Sequence, residues 1–276
     1  MTKEINIEAF EYNPEPDESG FFMRKEIASE QAQRMIAELK ELLRTKKYKI
    51  GSGTTAEVHL FVRNASNCMK IISTHETMGT VTHTKGVTDQ LWYHPVPTEA
   101  RFLQDANSLA EGTDVQVPRP YYTLREMIVD DSGDKPHSFE LSVLAMEYLN
   151  AVTLDSIVFR GENNFPPLFN NDIFFKKLHY FIKKLHSKGL YHRDLHASNI
   201  LVDLKTGLPC VIDFGRATYA DLESAYFQEI RATEKGRTIL TKMTFPTDED
   251  RLNTLENSVS NFLQWKNESI KVDAIK

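Results

Sequence analysis

The chain has 276 residues, a formal net charge of −6, and hydrophobic and charged fractions of 41% and 26%. This length allows one large domain or two smaller lobes with a substantial core. The acidic balance gives no general reason to expect a nucleic-acid or anionic-membrane partner.

Neither a membrane span nor a signal peptide is predicted. No apolar run approaches the about 18 residues that cross a bilayer. Residues 1–5 lack the basic-then-apolar pattern of a secretory signal. We therefore expect a cytoplasmic protein, although a non-classical export signal would escape this test.

The N-terminal 45 residues are interpreted as an extension with a helix. Residues 1–24 contain prolines and several acids and are expected to be extended or poorly ordered. Residues 25–45 are predicted to be helical, because apolar side chains recur at spacings of three and four without Gly or Pro. We expect this helix to brace the following lobe or to form a partner surface.

Five strands are predicted between residues 46 and 149. Three of them lie within 46–72, where a Gly-rich turn separates the first two. The other two, at 121–129 and 139–147, flank a polar turn. An insertion at 73–97 and a helix at 98–109 lie between the two groups of strands.

The remaining residues, 150–276, are predicted to be mainly helical. A short helix is expected at 153–160, a strong one at 172–188 that stops at Gly189, and another at 251–264. Because strands come first and helices follow, the predicted class is α+β, with a β lobe over 46–149 and an α lobe over 150–276.

Two loops in the second half carry residues suited to phosphoryl transfer. Asp194 and Asn199 lie in a loop between a helix and a strand, and Asp213 follows the apolar strand at 210–212. Phosphoryl transfer needs cations around the phosphates, ligands for those cations and a group that orients the acceptor hydroxyl. Carboxylate and amide oxygens suit magnesium. Either loop taken alone could have a purely structural role and merely cap a turn. That explanation is weaker when the two loops are considered together.

The sequence of these loops resembles the signature of protein kinases. The kinase catalytic loop is similar to His192-Arg193-Asp194-Leu195-His196-Ala197-Ser198-Asn199, and the kinase metal-binding triplet is similar to Asp213-Phe214-Gly215. The resemblance implies a bilobal fold, with an antiparallel β N-lobe and a mostly helical C-lobe, that uses ATP and Mg²⁺. It implies that Asp194 orients the acceptor hydroxyl and accepts its proton. Asn199 and Asp213 would hold the metal.

A glycine-rich segment resembles the loop that covers the ATP phosphates in this family. It runs from Gly51 to Val58 and includes Ser52 and Gly53, with Ala56 in place of the third glycine. Turns without side chains let backbone N–H groups approach phosphate oxygens. An ordinary hairpin would explain the same segment.

Lys70 lies in an apolar run at the position of the family's strand lysine. The resemblance implies that it binds phosphates and pairs with a helix glutamate. Glu99 is the chosen partner, and Glu76 and Glu111 are the alternatives. The long gap between Lys70 and Glu99 is interpreted as the insertion at 73–97.

The segment that ends the fifth strand resembles the kinase hinge that binds adenine. The resemblance implies that the backbones of Glu147 and Leu149 bind the base and that Met146 lines the inner pocket. A plain buried strand would explain the same residues.

The resemblance covers about residues 46–260 and weakens after Gly215. No Ala-Pro-Glu-like motif follows Gly215. In this respect the chain resembles atypical branches of the family with a shortened C-lobe, such as RIO-like, lipopolysaccharide, aminoglycoside, choline and some bacterial or phage kinases. Asp248 or Asp250 is a candidate for the buried aspartate that braces the catalytic loop.

The expected reaction is phosphoryl transfer to Ser or Thr hydroxyls of proteins, including the chain itself. Arg193 favours it, since the resemblance implies that an arginine at this position pairs with a phosphorylated residue after the metal-binding triplet. Thr218, Thr233 and Thr238 are available for this role. A small-molecule or sugar kinase is the alternative, and a nucleotide-binding pseudokinase scaffold is the second alternative. The presence of Lys70 beside the other signature residues disfavours the scaffold.

Overall fold

The computed structural model describes most of the chain. The described residues are 8–16, 22–26, 48–52, 56–60, 67–75, 96–130, 137–219 and 247–273, together with Glu30, Arg34, Ala37 and Glu38. The chain divides into two compact units, one formed by residues 1–104 and 118–148 and the other by 105–117 and 149–276. The domain ranges 1–45, 46–149 and 150–276 stay predictions.

The first unit is built on a seven-stranded sheet. Its strands are β1 (Glu8–Pro16), β2 (Phe22–Glu26), β3 (Lys49–Ser52), β4 (Glu57–Leu60), β5 (Asn67–His75), β6 (Pro120–Asp130) and β7 (His137–Glu147). They lie in the order β2-β1-β6-β7-β5-β4-β3, and every neighbouring pair is antiparallel. Strands β3 to β7 are the five that the sequence predicts.

The sequence predicts that residues 1–24 are extended or poorly ordered, and strands β1 and β2 show that the described part is extended and paired in the sheet. Phe10 pairs with Glu26 on one side and with Thr123 of β6 on the other. The start of the predicted helix 25–45 is wrong, since Glu26 and its predecessor belong to β2. The residues of this helix that the structure describes are Glu30, Arg34, Ala37 and Glu38, all helical, and the rest lies outside the described residues.

Glu38 lies close to the sheet. Burial raises the pKa of the Tyr122 hydroxyl on β6, and the negative charge of Glu38 raises it further. Because this coupling requires proximity, it supports the predicted bracing of the β lobe by the helix. The predicted partner surface on this helix stays a prediction.

Helix α1 (Val96–Ala110) corresponds to the helix predicted at 98–109. Of the apolar stripe that the spacing indicates, Ala100, Leu103 and Ala106 are buried, and Leu109 is half-buried. Glu99 lies in its first turn, where the helix dipole stabilises a negative charge. The predicted insertion at 73–97 falls largely outside the described residues.

The second unit contains short strands and two long helices. Its elements are β8 (Ala151–Thr153), a π-helical turn (Asp155–Phe159), α2 (Asn171–Ser187), β9 (Leu190–Tyr191), β10 (Ile200–Asp203), β11 (Pro209–Val211), β12 (Thr218–Tyr219) and α3 (Asp248–Asp273). The strands form two small sheets, β11-β10-β8 and β12-β9. The π-helical turn replaces the short helix predicted at 153–160.

Helix α2 confirms the strong helix of the prediction. Asn170 caps its N-terminus, with Oδ1 accepting the Ile173 N–H at 3.0 Å. Gly189 follows the end of the helix and has φ +74°, a conformation that glycine adopts without strain. The spacing of its apolar residues predicts that Ile173 shares the buried face with Phe174, but Ile173 is 49% exposed and Phe175 is buried instead.

Helix α3 begins with a reciprocal cap. The Asp250 N–H donates to Thr247 Oγ1 at 3.1 Å, and the Thr247 N–H donates to Asp250 Oδ2 at 3.0 Å. The helix buries Leu252, Leu255 and Val259 and packs on α2. Across the described part of the chain, no helix combines the length and apolarity that a membrane span requires.

Candidate active site

In the first unit, Lys70 and Glu99 form a buried ion pair. Lys70 lies on β5 and Glu99 in the first turn of α1, and Lys70 Nζ is 2.8 Å from Glu99 Oε1. Of the alternatives, Glu111 lies in the second unit and is exposed, and Glu76 lies outside the described residues. The structure thus brings together the two residues that the sequence pairs, and their part in nucleotide binding stays a prediction.

The glycine-rich segment joins β3 to β4. Gly51 pairs with Val58, and Val58 also pairs with Lys70 on its other side. A Cβ on Gly51 would lie 3.9 Å from Val58 Cβ, an ordinary contact, so packing does not require glycine there. Ser52 ends β3, and Gly53 lies outside the described residues.

The hinge-like residues lie at the end of β7, which contains Met146 and Glu147, and just after it at Leu149. Met146 pairs with Cys68 on β5, and the Glu147 N–H donates to Arg119 O at 2.9 Å. Burial, with the charge of Glu147 as a smaller cause, raises the pKa of the Cys68 thiol to about 12, so Cys68 is a neutral side chain. Leu149 belongs to the second unit, where its carbonyl accepts the Ala151 N–H at 2.8 Å. Adenine binding by these backbones stays a prediction.

In the second unit, the loop between β9 and β10 holds Asp194 in a buried position. The Asp194 side chain is 9% exposed, and its Oδ1 lies 3.3 Å from Arg216 Nη1. Its Oδ2 lies 3.7 Å from His196 Nε2. Burial acts to raise the pKa of Asp194, but the nearby His196 imidazole and the charge of Arg216 outweigh it and lower the pKa. The carboxylate is therefore ionised at neutral pH and able to accept a proton.

Asp248 braces the same loop from the N-terminus of α3. Its Oδ2 accepts the His192 N–H at 2.8 Å, and its Oδ1 accepts the Arg193 N–H at 2.9 Å. The structure thus selects Asp248 over Asp250, which caps α3. Arg193 has φ +66°, a left-handed conformation that costs about 1–2 kcal/mol in a residue other than glycine. The two hydrogen bonds from Asp248 stabilise this strained turn.

The His192 side chain connects the loop to the triplet that begins at Asp213. Its Nδ1 accepts the Asp194 N–H at 3.2 Å, and its Nε2 donates to Ile212 O at 3.0 Å. Its ring lies 4.6 Å from that of Phe214, and both residues are fully buried. The residues flanking Asp213 are therefore anchored to the catalytic loop through one imidazole.

Asn199 and Asp213 lie at the same end of the antiparallel pair β10–β11. The Ile212 N–H donates to Asn199 O at 3.0 Å, just beyond the paired residues Ile200 and Val211. Asn199 Nδ2 donates to Asp194 O at 2.9 Å, which fixes the amide so that Oδ1 points away from that carbonyl.

This donor set fits a magnesium ion. Asp213 has φ +65°, and its Oδ1 accepts the Gly215 N–H at 3.3 Å. Its carboxylate and the Asn199 amide supply the oxygen ligands that Mg²⁺ prefers. The described residues contain no group of three or more His, Cys, Asp or Glu able to hold a metal by themselves. A metal held by Asn199 and Asp213 would complete its shell with water and phosphate oxygens, as Mg²⁺ commonly does.

The comparison with family models bears on this part of the chain. Residues 121–236 match the model of the protein kinase domain. This segment is protein-kinase-like. The match spans Asp194, Asn199 and Asp213, confirms the resemblance drawn from the sequence, and supports a phosphotransferase. No curated protein matches the chain with significant similarity.

Three functional candidates in the kinase-like segment were not singled out from the sequence. Arg216 and His196 both reach the Asp194 carboxylate. Their positions, directly after the triplet and two residues after Asp194, were signals that could have found them. His186 contacts Asp248, and a pairing between residues so far apart has no local signal in the sequence.

Proposed function

We propose that the chain is an ATP- and magnesium-dependent kinase that transfers the γ-phosphoryl group to a hydroxyl. The observation that carries the proposal is the hydrogen bond from Asn199 Nδ2 to Asp194 O, with Asp213 at the same end of β10–β11. An ionised base and two oxygen donors for a cation are the groups that this chemistry needs. A bilobal arrangement of the two units is part of the proposal.

In this proposal each unit supplies part of the machinery. Asp194 orients the acceptor hydroxyl and accepts its proton at a carboxylate oxygen. Asn199 and Asp213 hold Mg²⁺, which when bound neutralises charge on the phosphates. Lys70, oriented by Glu99, supplies a further cation for the phosphates.

The glycine-rich and hinge-like segments would bind the nucleotide. The backbone between Gly51 and Gly53, including Ser52, covers the phosphates, and Val58 packs on the base. Met146 and the backbones of Glu147 and Leu149 surround the adenine.

We further propose that the acceptor is a Ser or Thr hydroxyl of a protein, including this chain. Arg193 supports this assignment. Its guanidinium lies 5.0 Å from the Tyr191 ring centre, and its Nε is 3.5 Å from Thr218 Oγ1. A phosphate on a nearby threonine would gain charge-assisted hydrogen bonds from such an arginine. Thr233 and Thr238, the other candidates, lie outside the described residues.

A transfer assay tests the reaction and its acceptor together. The purified chain is incubated with γ-labelled ATP and Mg²⁺, and Asp194→Asn is the matched variant because it keeps the size of the side chain. We expect label on the chain and on protein acceptors with the wild type and a loss of about 10²–10⁴-fold with the variant. Transfer to metabolites but not to proteins would instead select the small-molecule kinase.

A binding assay separates an enzyme from a scaffold. An intact site should raise the melting temperature with ATP and Mg²⁺, because a ligand that binds the folded state stabilises it. A nucleotide-induced shift without any transfer would favour the pseudokinase scaffold. The absence of both would contradict the proposal.

A further inference from the structure

A second charged cluster adjoins the catalytic loop, and its central residue has no part in the proposed reaction. His186 lies near the end of α2, with its side chain 14% exposed. Its Nε2 lies 3.0 Å from Asp248 Oδ2, and its Nδ1 lies 2.7 Å from Glu249 Oε1. Both ring nitrogens therefore contact carboxylate oxygens.

This geometry determines the protonation state of His186. Ionised carboxylates only accept hydrogen bonds, so both contacts are satisfied only when both ring nitrogens carry protons. The titratable groups that face the ring are Asp248 and Glu249 on α3 and Tyr191 on β9, whose ring stacks at 4.5 Å. Burial acts to lower the pKa of His186, but the hydrogen bond and charge of Asp248, followed by those of Glu249, outweigh it and raise the pKa.

His186 and the catalytic loop share one carboxylate. Asp248 Oδ2 accepts from His186 Nε2 and from the His192 N–H, while Oδ1 accepts from the Arg193 N–H. The Asp248 side chain is 1% exposed, so water does not replace a lost partner. The imidazolium consequently fixes the carboxylate that holds the strained turn at Arg193.

We propose that the imidazolium form of His186 is a positioning element for the catalytic loop, and that its deprotonation loosens the loop and slows phosphoryl transfer at alkaline pH. The part concerning the rate rests on the proposed function, whereas the part concerning the loop does not. Since the pKa is raised in the folded state, the stabilisation is complete below about 6.5 and is lost as the pH rises through the raised pKa.

The chain offers a matched control on the same pair of helices. His179 also lies on α2 and pairs with a carboxylate of α3, with Nε2 2.9 Å from Glu256 Oε2. Glu256 accepts no backbone N–H of the catalytic loop among the hydrogen bonds of the described residues. His179→Gln therefore removes a histidine–carboxylate contact between α2 and α3 without touching the loop.

Amide exchange and NMR test the positioning without an activity assay. His186→Gln should make the His192 and Arg193 amides exchange about tenfold faster than wild type, relative to core amides of α2, because a hydrogen bond to a charged group is weakened. His179→Gln should leave this ratio unchanged. In NMR titrations of the wild type, His186 should titrate above 6.5, and Glu249→Gln should move its titration to lower pH.

The pH dependence of transfer tests the consequence for the rate. The alkaline fall in rate should move to lower pH in Glu249→Gln and stay in place in His179→Gln. If His186→Gln fails to fold, Glu249→Gln decides, since Glu249 is 44% exposed. A wild-type titration of His186 at or below 6.5, or unchanged exchange at His192 and Arg193, would overturn the proposal. If the amides exchange as expected but neither the wild type nor any variant transfers a phosphoryl group, the proposed function is overturned instead.

Discussion

The ammonium of Lys70 lies 2.8 Å from a carboxylate oxygen of Glu99, and the two side chains are 7% and 3% exposed. A buried pair of this kind contributes little net stability, because removing two charges from water costs about what their attraction returns. Removal of one partner has a different effect, since the remaining charge stays buried after the pair is broken. The pair therefore makes a specific prediction about single and double variants.

Glu99→Ala should lower the free energy of unfolding by about 3–5 kcal/mol, because it breaks a buried ion pair by removing one of its two charges. The double variant Lys70→Met/Glu99→Leu should recover most of this loss, because neither charge is then buried. Urea denaturation measures both. Lys177→Ala is the control, since its pair with Asp114 is 38% and 58% exposed and should be worth less than about 1 kcal/mol. Equal losses in Glu99→Ala and Lys177→Ala would contradict the prediction.

Asp248→Asn should destabilise the second unit by roughly 3–5 kcal/mol, since a buried charge with three hydrogen-bond donors is removed. The pKa of Asp248 is lowered in the folded state, where His186 and His192 outweigh its burial. Its stabilisation is therefore present above the usual value of 3.8 and lost as the pH falls through the lowered pKa. Urea denaturation at pH values from 7 to 2 measures the free energy of unfolding. The wild type should lose this contribution of Asp248 at acidic pH, whereas the variant has none to lose.

Asp250→Ala is the control for Asp248. It removes one helix cap and should cost about 1 kcal/mol without affecting exchange at His192 and Arg193. A larger effect on the catalytic loop from Asp250→Ala than from Asp248→Asn would show that α3 as a whole, not one carboxylate, positions the loop.

Asp213→Asn should fold like the wild type but bind Mg²⁺-nucleotide more weakly, because it removes a charged ligand while Asn tolerates the left-handed conformation. Asp213→Ala should lose the metal as well and should cost about 1 kcal/mol more in stability from strain at φ +65°. Calorimetric titration with ATP, with and without Mg²⁺, measures the first effect and urea denaturation the second. Unchanged Mg²⁺ dependence in both variants would exclude Asp213 as a ligand.

Gly207→Ala should destabilise the second unit far more than Gly112→Ala. The two glycines have nearly the same φ, +71° and +72°, so each alanine variant should carry about the same backbone strain, about 1 kcal/mol. A Cβ on Gly207 would lie 2.6 Å from the Leu168 carbonyl carbon, whereas a Cβ on Gly112 meets no atom within 4 Å. Thermal denaturation should show a small loss for Gly112→Ala and a severe one for Gly207→Ala, and equal losses would contradict the steric argument.

The sequence predicts the elements whose pattern is local. Strands β3 to β7 and helix α2 follow from apolar periodicity and from stop signals such as Gly189. The strands β1 and β2 were not predicted. The prolines and acids of residues 1–24 indicate only an extended or poorly ordered segment, and pairing with β6, a distant strand, makes it part of the sheet.

The candidate site also contains residues that local sequence patterns predict and contacts that they do not. Asp194, Asn199 and Asp213 belong to contiguous motifs, which a sequence displays directly. The contact between Lys70 and Glu99 joins a strand to a helix, and the sequence left three glutamates open. The contact between His186 and Asp248 joins two helices, and no spacing rule predicts which carboxylate a distant histidine meets.

The pairing of β1 with β6 changes which strand ends the sheet. Without β1, the eleven-residue strand β6 would present unpaired N–H and C=O groups along one side. Such an open strand is a template for another chain, and long ones promote self-association. The N-terminal hairpin thus acts as a cover whose outermost strand, β2, has five residues, with Arg24, Lys25 and Glu26 among them. Removing residues 1–26 should consequently expose β6 and increase aggregation relative to the full chain, which light scattering measures.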